Sequence, residues 1–322
     1  MITLDPETLK RLLPGVDSVE PCFASGGFKS VYAAVIKGKK EALKILSIRK
    51  MDDPDPDIVD AYYKEQIARV RREVVALGKC RIPELVRLGA IAPMEFDVGS
   101  QKYVAYSEEF LDGQDLWALI RSQGQRPPLM ELVQLFRSLL KSVQELWRHG
   151  YVHRDIKPHN VMKLHDRIRP FVLLDLGIAY AVHETGLTFG AEGRMPPATY
   201  RYLAPEMMQP DFREHMDFRT DLYTIGMTVF EYATGCHPLA RDGDDVMRTI
   251  SRALRQPAQP LRKYRQDLPG DFCALVDGLL KKKPALRPAN LAMLFTWERR
   301  FKTPPGAPVE NALPLTFVGR CR

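Results

Sequence analysis

The sequence predicts an α+β fold in two unequal lobes, a small strand-rich one followed by a larger helical one. Three observations predict it. Residues 19–46 carry apolar and β-branched runs around a Lys-Gly-Lys-Lys turn, the segment 132–147 repeats apolar residues at helical spacing, and the chain from about 203 to 302 is helix-compatible between proline breaks.

The strands come first. Val31 to Ile36 and Ala42 to Leu46 flank the turn at 37–40 and read as a hairpin. The acidic stretch MDDPDPDIVD at 51–60 is broken by prolines and reads as a solvated loop leading into a helix over about Ala61 to Leu77. Residues 85–110 return to strand-like runs. After Gly113 the spacing changes. Leu132, Leu135, Phe136, Leu139, Leu140, Val143, Leu146 and Trp147 line one helical face, with Gly150 as its stop. A hairpin over 161–174 follows, then an irregular segment to about 203. Helices follow to about 302, with breaks at Pro238, Pro257, Pro260, Pro269 and Pro284. Four segments result: an N-terminal extension at 1–18, a small lobe at 19–111, a large lobe at 112–302 and a proline-containing tail at 303–322.

Bulk properties bound the function. The 322 residues suffice for a sizeable core, and 45% hydrophobic with 27% charged residues is an ordinary globular balance. The formal charge of +7 suits acidic substrates, anionic surfaces or nucleic acid, but a solvated basic surface is the commoner explanation. There is no zinc spacing and no aromatic-basic repeat, so no nucleic-acid partner is expected. Five scattered cysteines without a C-x-x-C pair argue against a disulfide framework and suit a reducing compartment. The N-terminus does not read as a secretion signal, and no apolar run approaches about 18 residues. A cytoplasmic protein without a membrane span is expected.

The chemistry concentrates in HRDIKPHN at 153–160 and LLDLG at 173–177. Phosphoryl transfer from ATP needs a proton acceptor for the incoming hydroxyl, ligands for magnesium and positive charge against the phosphates. Asp155 is the candidate base and Lys157 the candidate cation. Asn160 and Asp175 offer hard oxygens for Mg2+, which the hairpin between them would bring together. A lone His-Arg-Asp is usually a surface charge cluster; four groups at these spacings are not.

In these motifs the sequence resembles the eukaryotic-type (Hanks-type) protein kinase superfamily, whose signature is H-R-D-x-x-x-x-N followed by D-F-G, with Leu176 here in the Phe slot. The resemblance covers about 19–302. It implies a bilobal protein kinase-like fold and ATP-dependent phosphorylation of protein serine or threonine hydroxyls. It also implies that Lys44, in EALKIL, meets the α- and β-phosphates and pairs with Glu73 on the small-lobe helix. Backbone groups of Glu109 and Leu111 would meet the adenine edge, with Asp115 near the ribose. Val31, Ala42 and Met162 would sandwich the ring.

Departures are visible. Glu108 falls in a slot that is usually apolar or small, unless the register slips by one. Ala24, Gly26 and Lys29 occupy the three glycine positions of the phosphate loop, so only Gly26 survives, with Gly27 beside it. Lys29 resembles the phosphate-serving lysine of the with-no-lysine kinases, although Lys44 is present; an auxiliary role and a phosphate role both stand. Thr199 and Lys157 match the serine/threonine-specific pattern. Thr185 and Thr188 are candidate phosphorylation sites that Arg154 would pair with, against an equally open reading in which the segment is ordered unmodified. Asp221 would hold the catalytic-loop backbone, and Arg287 would pair with Glu206 of Ala-Pro-Glu. The competing readings are a pseudokinase scaffold and a small-molecule phosphotransferase of kinase-like fold. The second generally lacks the Ala-Pro-Glu segment and the Asp221 to Arg287 framework.

Overall fold

The computed structural model of the chain describes residues 3–26, 29–48, 55–122, 126–176, 180–181, 201–209, 211–212, 216–241 and 243–298. The chain divides into two units, Met1–Arg81 with Leu85–Asp112, and Ile82–Glu84 with Gly113–Arg322.

In the smaller unit a helix α1 (Pro6–Leu12) precedes the strands β1 (Val16–Gly26), β2 (Lys29–Ile36) and β3 (Lys39–Ser47). The long helix α2 (Pro56–Lys79) and the strands β4 (Met94–Val98) and β5 (Gln101–Glu109) complete it. The sheet is antiparallel in the order β1-β2-β3-β5-β4. Lys37 and Gly38 take φ of 49° and 77°, as a two-residue hairpin turn requires.

Side chains alternate across a strand, and the two faces bury different partners. Tyr32, Ala34, Ile36, Leu43, Ile45 and Ala105 pack with Leu4, Leu9 and Leu13 around α1. Val104 and Tyr106 pack instead with Ile67, Val70 and Val74 of α2. Leu4, Leu9 and Leu13, in the stretch expected to be an extension, are therefore part of the core. Leu4 is pinned at both backbone ends: its N–H donates to the Tyr32 hydroxyl at 2.8 Å, and that hydroxyl donates to the Leu4 carbonyl at 3.0 Å.

Two local expectations need correction. The helix α2 starts at Pro56, inside the stretch expected to be loop, because proline is tolerated at a first helical position and Asp55 caps it by accepting from Asp57 N at 2.9 Å. Residues 85–93 are not a strand; they make only isolated bridges at Leu85 and Leu88, the latter to Glu108. Side chains satisfy their backbone: Ala90 N donates to Glu41 Oε2 at 2.8 Å, Ile91 N to Ser107 Oγ at 2.8 Å and Arg87 N to Glu109 Oε1 at 2.8 Å.

The larger unit runs through β6 (Gly113–Asp115), α3 (Leu116–Arg121), α4 (Leu129–Arg148), β7 (Tyr151–Val152), β8 (Val161–Leu164), β9 (Phe171–Leu173) and β10 (Tyr180–Ala181). It continues with α5 (Phe218–Thr234), α6 (Val246–Arg255), α7 (Gly270–Leu279) and α8 (Leu291–Glu298). The helix α4 buries the predicted stripe from Leu132 to Leu146, with Trp147 half-buried, and Gly150 beyond it has a φ of 76°. Helix α5 is buried from Thr220 to Thr234 and approaches α7 closely at Gly226, where a Cβ would stand 2.9 Å from that of Leu279. Residues Ile82–Glu84 join this unit because the Glu84 carbonyl accepts from Leu173 N at 2.9 Å and from Ser142 Oγ at 3.2 Å, while its carboxylate pairs with Lys141.

Cys22, Cys80 and Cys273 are free thiols. The tail at 303–322 lies outside the described residues.

If α1 is core, Leu9→Ala destabilises the protein by about 2–5 kcal/mol in denaturant unfolding. A loss under about 1 kcal/mol would show that the helix is a dispensable cover.

Candidate active site

The larger unit builds its site around the turn between β7 and β8. Burying Val152 and Ile156 leaves the residues between them to be held by hydrogen bonds, and α5 supplies the anchor. Asp221 accepts from His153 N through Oδ2 and from Arg154 N through Oδ1, both at 2.8 Å. Arg154 takes a φ of 67°, a left-handed conformation that costs a residue with a Cβ about 1 kcal/mol or more. Burial pushes the Asp221 carboxyl up to about 7, against the lowering effect of those two amides.

Asp155 is half-buried and closely held. Lys157 Nζ lies 2.9 Å from its Oδ1 and 2.7 Å from its Oδ2. Asn160 Nδ2 donates to the Asp155 carbonyl at 2.8 Å and to Oδ2 at 2.9 Å. The amide nitrogen of Asn160 is thus spent on the loop, which turns its Oδ1 away. The Asn160 carbonyl accepts from Leu174 N at 2.8 Å, tying the loop to the strand end that carries Asp175. Asp175 also has a positive φ, 45°, and the following Leu176 is buried.

No role was expected of His153, yet it links the two ends. Its Nδ1 accepts from Asp155 N at 3.2 Å, which leaves Nε2 to donate to the Leu174 carbonyl at 3.3 Å. Burial pushes its pKa down to about 4, so the ring stays neutral.

One amide oxygen and one carboxylate at joined backbone positions suit a hard cation such as Mg2+, which takes few protein ligands and keeps several waters. Among the described residues no group of three or more His, Cys, Asp or Glu forms another metal cluster. Asp115 caps α3, accepting from Ala118 N at 2.8 Å, and lies opposite Met162 in the β6–β8 ladder. His159, next to Asn160, stacks on Trp117 of α3 with ring centroids 4.5 Å apart.

Arg287 is fully engaged. Its Nη1 and Nη2 lie 2.6 and 2.7 Å from the Glu206 carboxylate oxygens, and its other bonds reach the carbonyls of Arg219, Lys281 and Lys282. Gly27, Thr185, Thr188 and Thr199 lie outside the described residues.

In the smaller unit Val31 is opposite Lys44, and Ala42 is opposite Glu108, so all four share a sheet face. That register places Glu108 inside β5. Lys44 Nζ is 2.5 Å from Glu108 Oε2, a partner that the resemblance did not name. Glu73 is half-buried on α2. Gly26 ends β1, and Lys29 opens β2. Glu109 N donates to the Arg87 carbonyl at 2.9 Å, and Leu111 is half-buried just beyond β5.

The neutral state of His153 gives a pH test. Its contribution to stability is complete above the unfolded histidine value of about 6.5 and is lost as pH falls through about 4. The stability advantage of the parent over His153→Asn should therefore narrow, by up to about 3 kcal/mol, between about pH 7 and pH 4.5 in denaturant unfolding. A constant gap would show that this ring's protonation is not linked to folding.

Comparison with known proteins follows the same lines. The protein kinase domain family profile matches residues 22–296. The chain is 27% identical over 275 residues to a probable serine/threonine-protein kinase of Clostridium acetobutylicum, covering 84% of this chain and 38% of that protein. It is 28% identical over 270 residues to the serine/threonine-protein kinase PknD of Mycobacterium tuberculosis, covering 83% and 36%. This chain thus spans little more than a third of those relatives. Its fold resembles the crystal structure of the M. tuberculosis PknI kinase domain, with a TM-score of 0.61 at 19% identity, covering 93% of this chain and 99% of that one. It also resembles Rad53 crystallised with AMP-PNP, with a TM-score of 0.61 at 22% identity, covering 86% and 63%. With most of its length matched by the profile, and with the fold of that family, this chain belongs to the protein kinase domain family.

Proposed function

We propose that this chain transfers the γ-phosphoryl group of ATP to a serine or threonine hydroxyl of a protein. The observation that carries the reading is the carboxylate of Asp155, held on one side by Lys157 and on the other by Asn160. Family membership and the names of the relatives support it.

The roles follow from chemistry. Asp155 accepts the proton of the attacking hydroxyl, which makes the oxygen a better nucleophile as the phosphoryl group arrives. Lys157 sets the direction of that carboxylate and offers positive charge to the moving group. Asn160 and Asp175 would hold magnesium, which when bound neutralises phosphate charge. Lys44 meets the α- and β-phosphates, and Gly26 and Gly27 let backbone amides approach them. Val31, Ala42 and Met162 pack on the adenine. Backbone groups of Glu109 and Leu111 bond its edge, and Asp115 bonds the ribose. Lys157 and Thr199 set the preference for serine and threonine. The reading includes a cytoplasmic setting, where ATP is supplied, and protein rather than nucleic-acid substrates.

Radiolabel transfer from ATP to a generic protein substrate tests the reaction, and Asp155→Ala should lower it by about 10²–10⁴-fold. Transfer to small alcohols only, or none that depends on Asp155, would favour the phosphotransferase or scaffold reading. Lys44→Met should remove most turnover and Lys29→Met less. The reverse order in ATP consumption would assign the phosphate role to Lys29.

A further inference from the structure

The ion pair between Lys44 and Glu108 is made within the sheet itself. Lys44 lies opposite Tyr106 and Ala42 opposite Glu108, so Lys44 and Glu108 are diagonal neighbours on one face of β3 and β5. Ladder hydrogen bonds fix that spacing. Both side chains are withdrawn from water, 5% and 3% exposed, where opposite charges attract far more strongly than at a surface. The amine also lies 5.5 Å from the centroid of the Tyr106 ring, and Tyr106 is wedged against Ile67, Val70 and Val74. A lysine ordinarily spreads over many rotamers. This one has a carboxylate and an aromatic ring both holding its charged end.

We infer that Glu108 is a positioning residue for Lys44, a carboxylate carried by strand β5 that aims the phosphate-binding amine from within the sheet. The inference rests on the phosphate role proposed above for Lys44. Its consequence is that the β3–β5 register contributes to the direction of the amine. A buried glutamate in this slot has a cost, and the pair with Lys44 supplies the compensation.

Two measurements on the full chain test it: kinetics with ATP, and the pH dependence of Lys44 acetylation by a pulse of acetic anhydride, read by peptide mass spectrometry. Removing the neighbouring negative charge disfavours the protonated amine, so Glu108→Gln should move half-maximal acetylation of Lys44 down by about one pH unit or more. It should also lower kcat by roughly 10- to 100-fold, as expected when a group that orients the phosphates is misplaced. Glu108→Asp keeps the charge on a shorter arm; its acetylation midpoint should stay near that of the parent, with a smaller loss of kcat. Should the Gln variant fail to fold, the Asp variant carries the test, and an unchanged kcat there overturns the inference. An unmoved midpoint in a folded Gln variant overturns the pairing. A moved midpoint with kcat unchanged or raised overturns the positioning role and makes Glu108 a restraint. A parent that shows no Asp155-dependent transfer brings down the proposed function and this inference with it. A parent whose Asp155-dependent transfer is undiminished by Glu108→Gln brings down the inference alone.

Discussion

The larger unit depends on one buried carboxylate holding two consecutive amides. Asp221 comes from α5, whose inner turns are packed on every side, and its oxygens fix the backbone at His153 and Arg154. That grip offsets the strain of the left-handed Arg154 and decides where Asp155 points. From there the order propagates by short steps. Asp155 meets Lys157 and Asn160; the Asn160 carbonyl and the His153 ring both reach Leu174; and Leu174 precedes Asp175. A helix core is rigid because it is close-packed, and this chain of bonds extends that rigidity to groups that must stay near solvent.

The smaller unit solves a different problem with the same residue type. Glu41, Glu108 and Glu109 sit at adjoining positions of β3 and β5, where carboxylates are ordinarily costly. Each has its own partner. Glu41 accepts from Ser107 Oγ at 2.7 Å and from the 85–93 run, Glu109 accepts from Arg87 N, and Glu108 meets Lys44. Gly89 belongs to the same arrangement, since a side chain there would run into Glu41 and Ser107. An irregular segment is in this way locked to a sheet edge without a ladder of its own.

Much of this was legible beforehand, for particular reasons. The hydrogen-bonded loop at 153–160 could be singled out because the chemistry proposed for it demands fixed residue types at fixed spacings within a few positions of one another. The α4 stripe and the 161–174 hairpin could be read because their periodicity is local. What escaped depends on long-range proximity. Nothing near Glu108 in sequence points to Lys44, 64 positions earlier; only the β3–β5 register joins them. The satisfaction of 85–93 by Glu41 and Ser107 is invisible for the same reason. Pro56 misled because proline breaks a helix interior yet opens a helix well. The opening residues looked like an appendage because seven helical residues carry too little pattern to show which face is buried.

The helix α1 also changes where this folding unit has to be cut. The region recognisable by kinship begins at residue 22, part-way along β1. A fragment trimmed to that point would lose Leu4, Leu9 and Leu13 together, strip the cover from Tyr32, Leu43 and Ile45, and leave the tyrosine hydroxyl without the peptide group that it both serves and uses. Expressed alone, such a fragment would present a greasy sheet face to water and invite association through it.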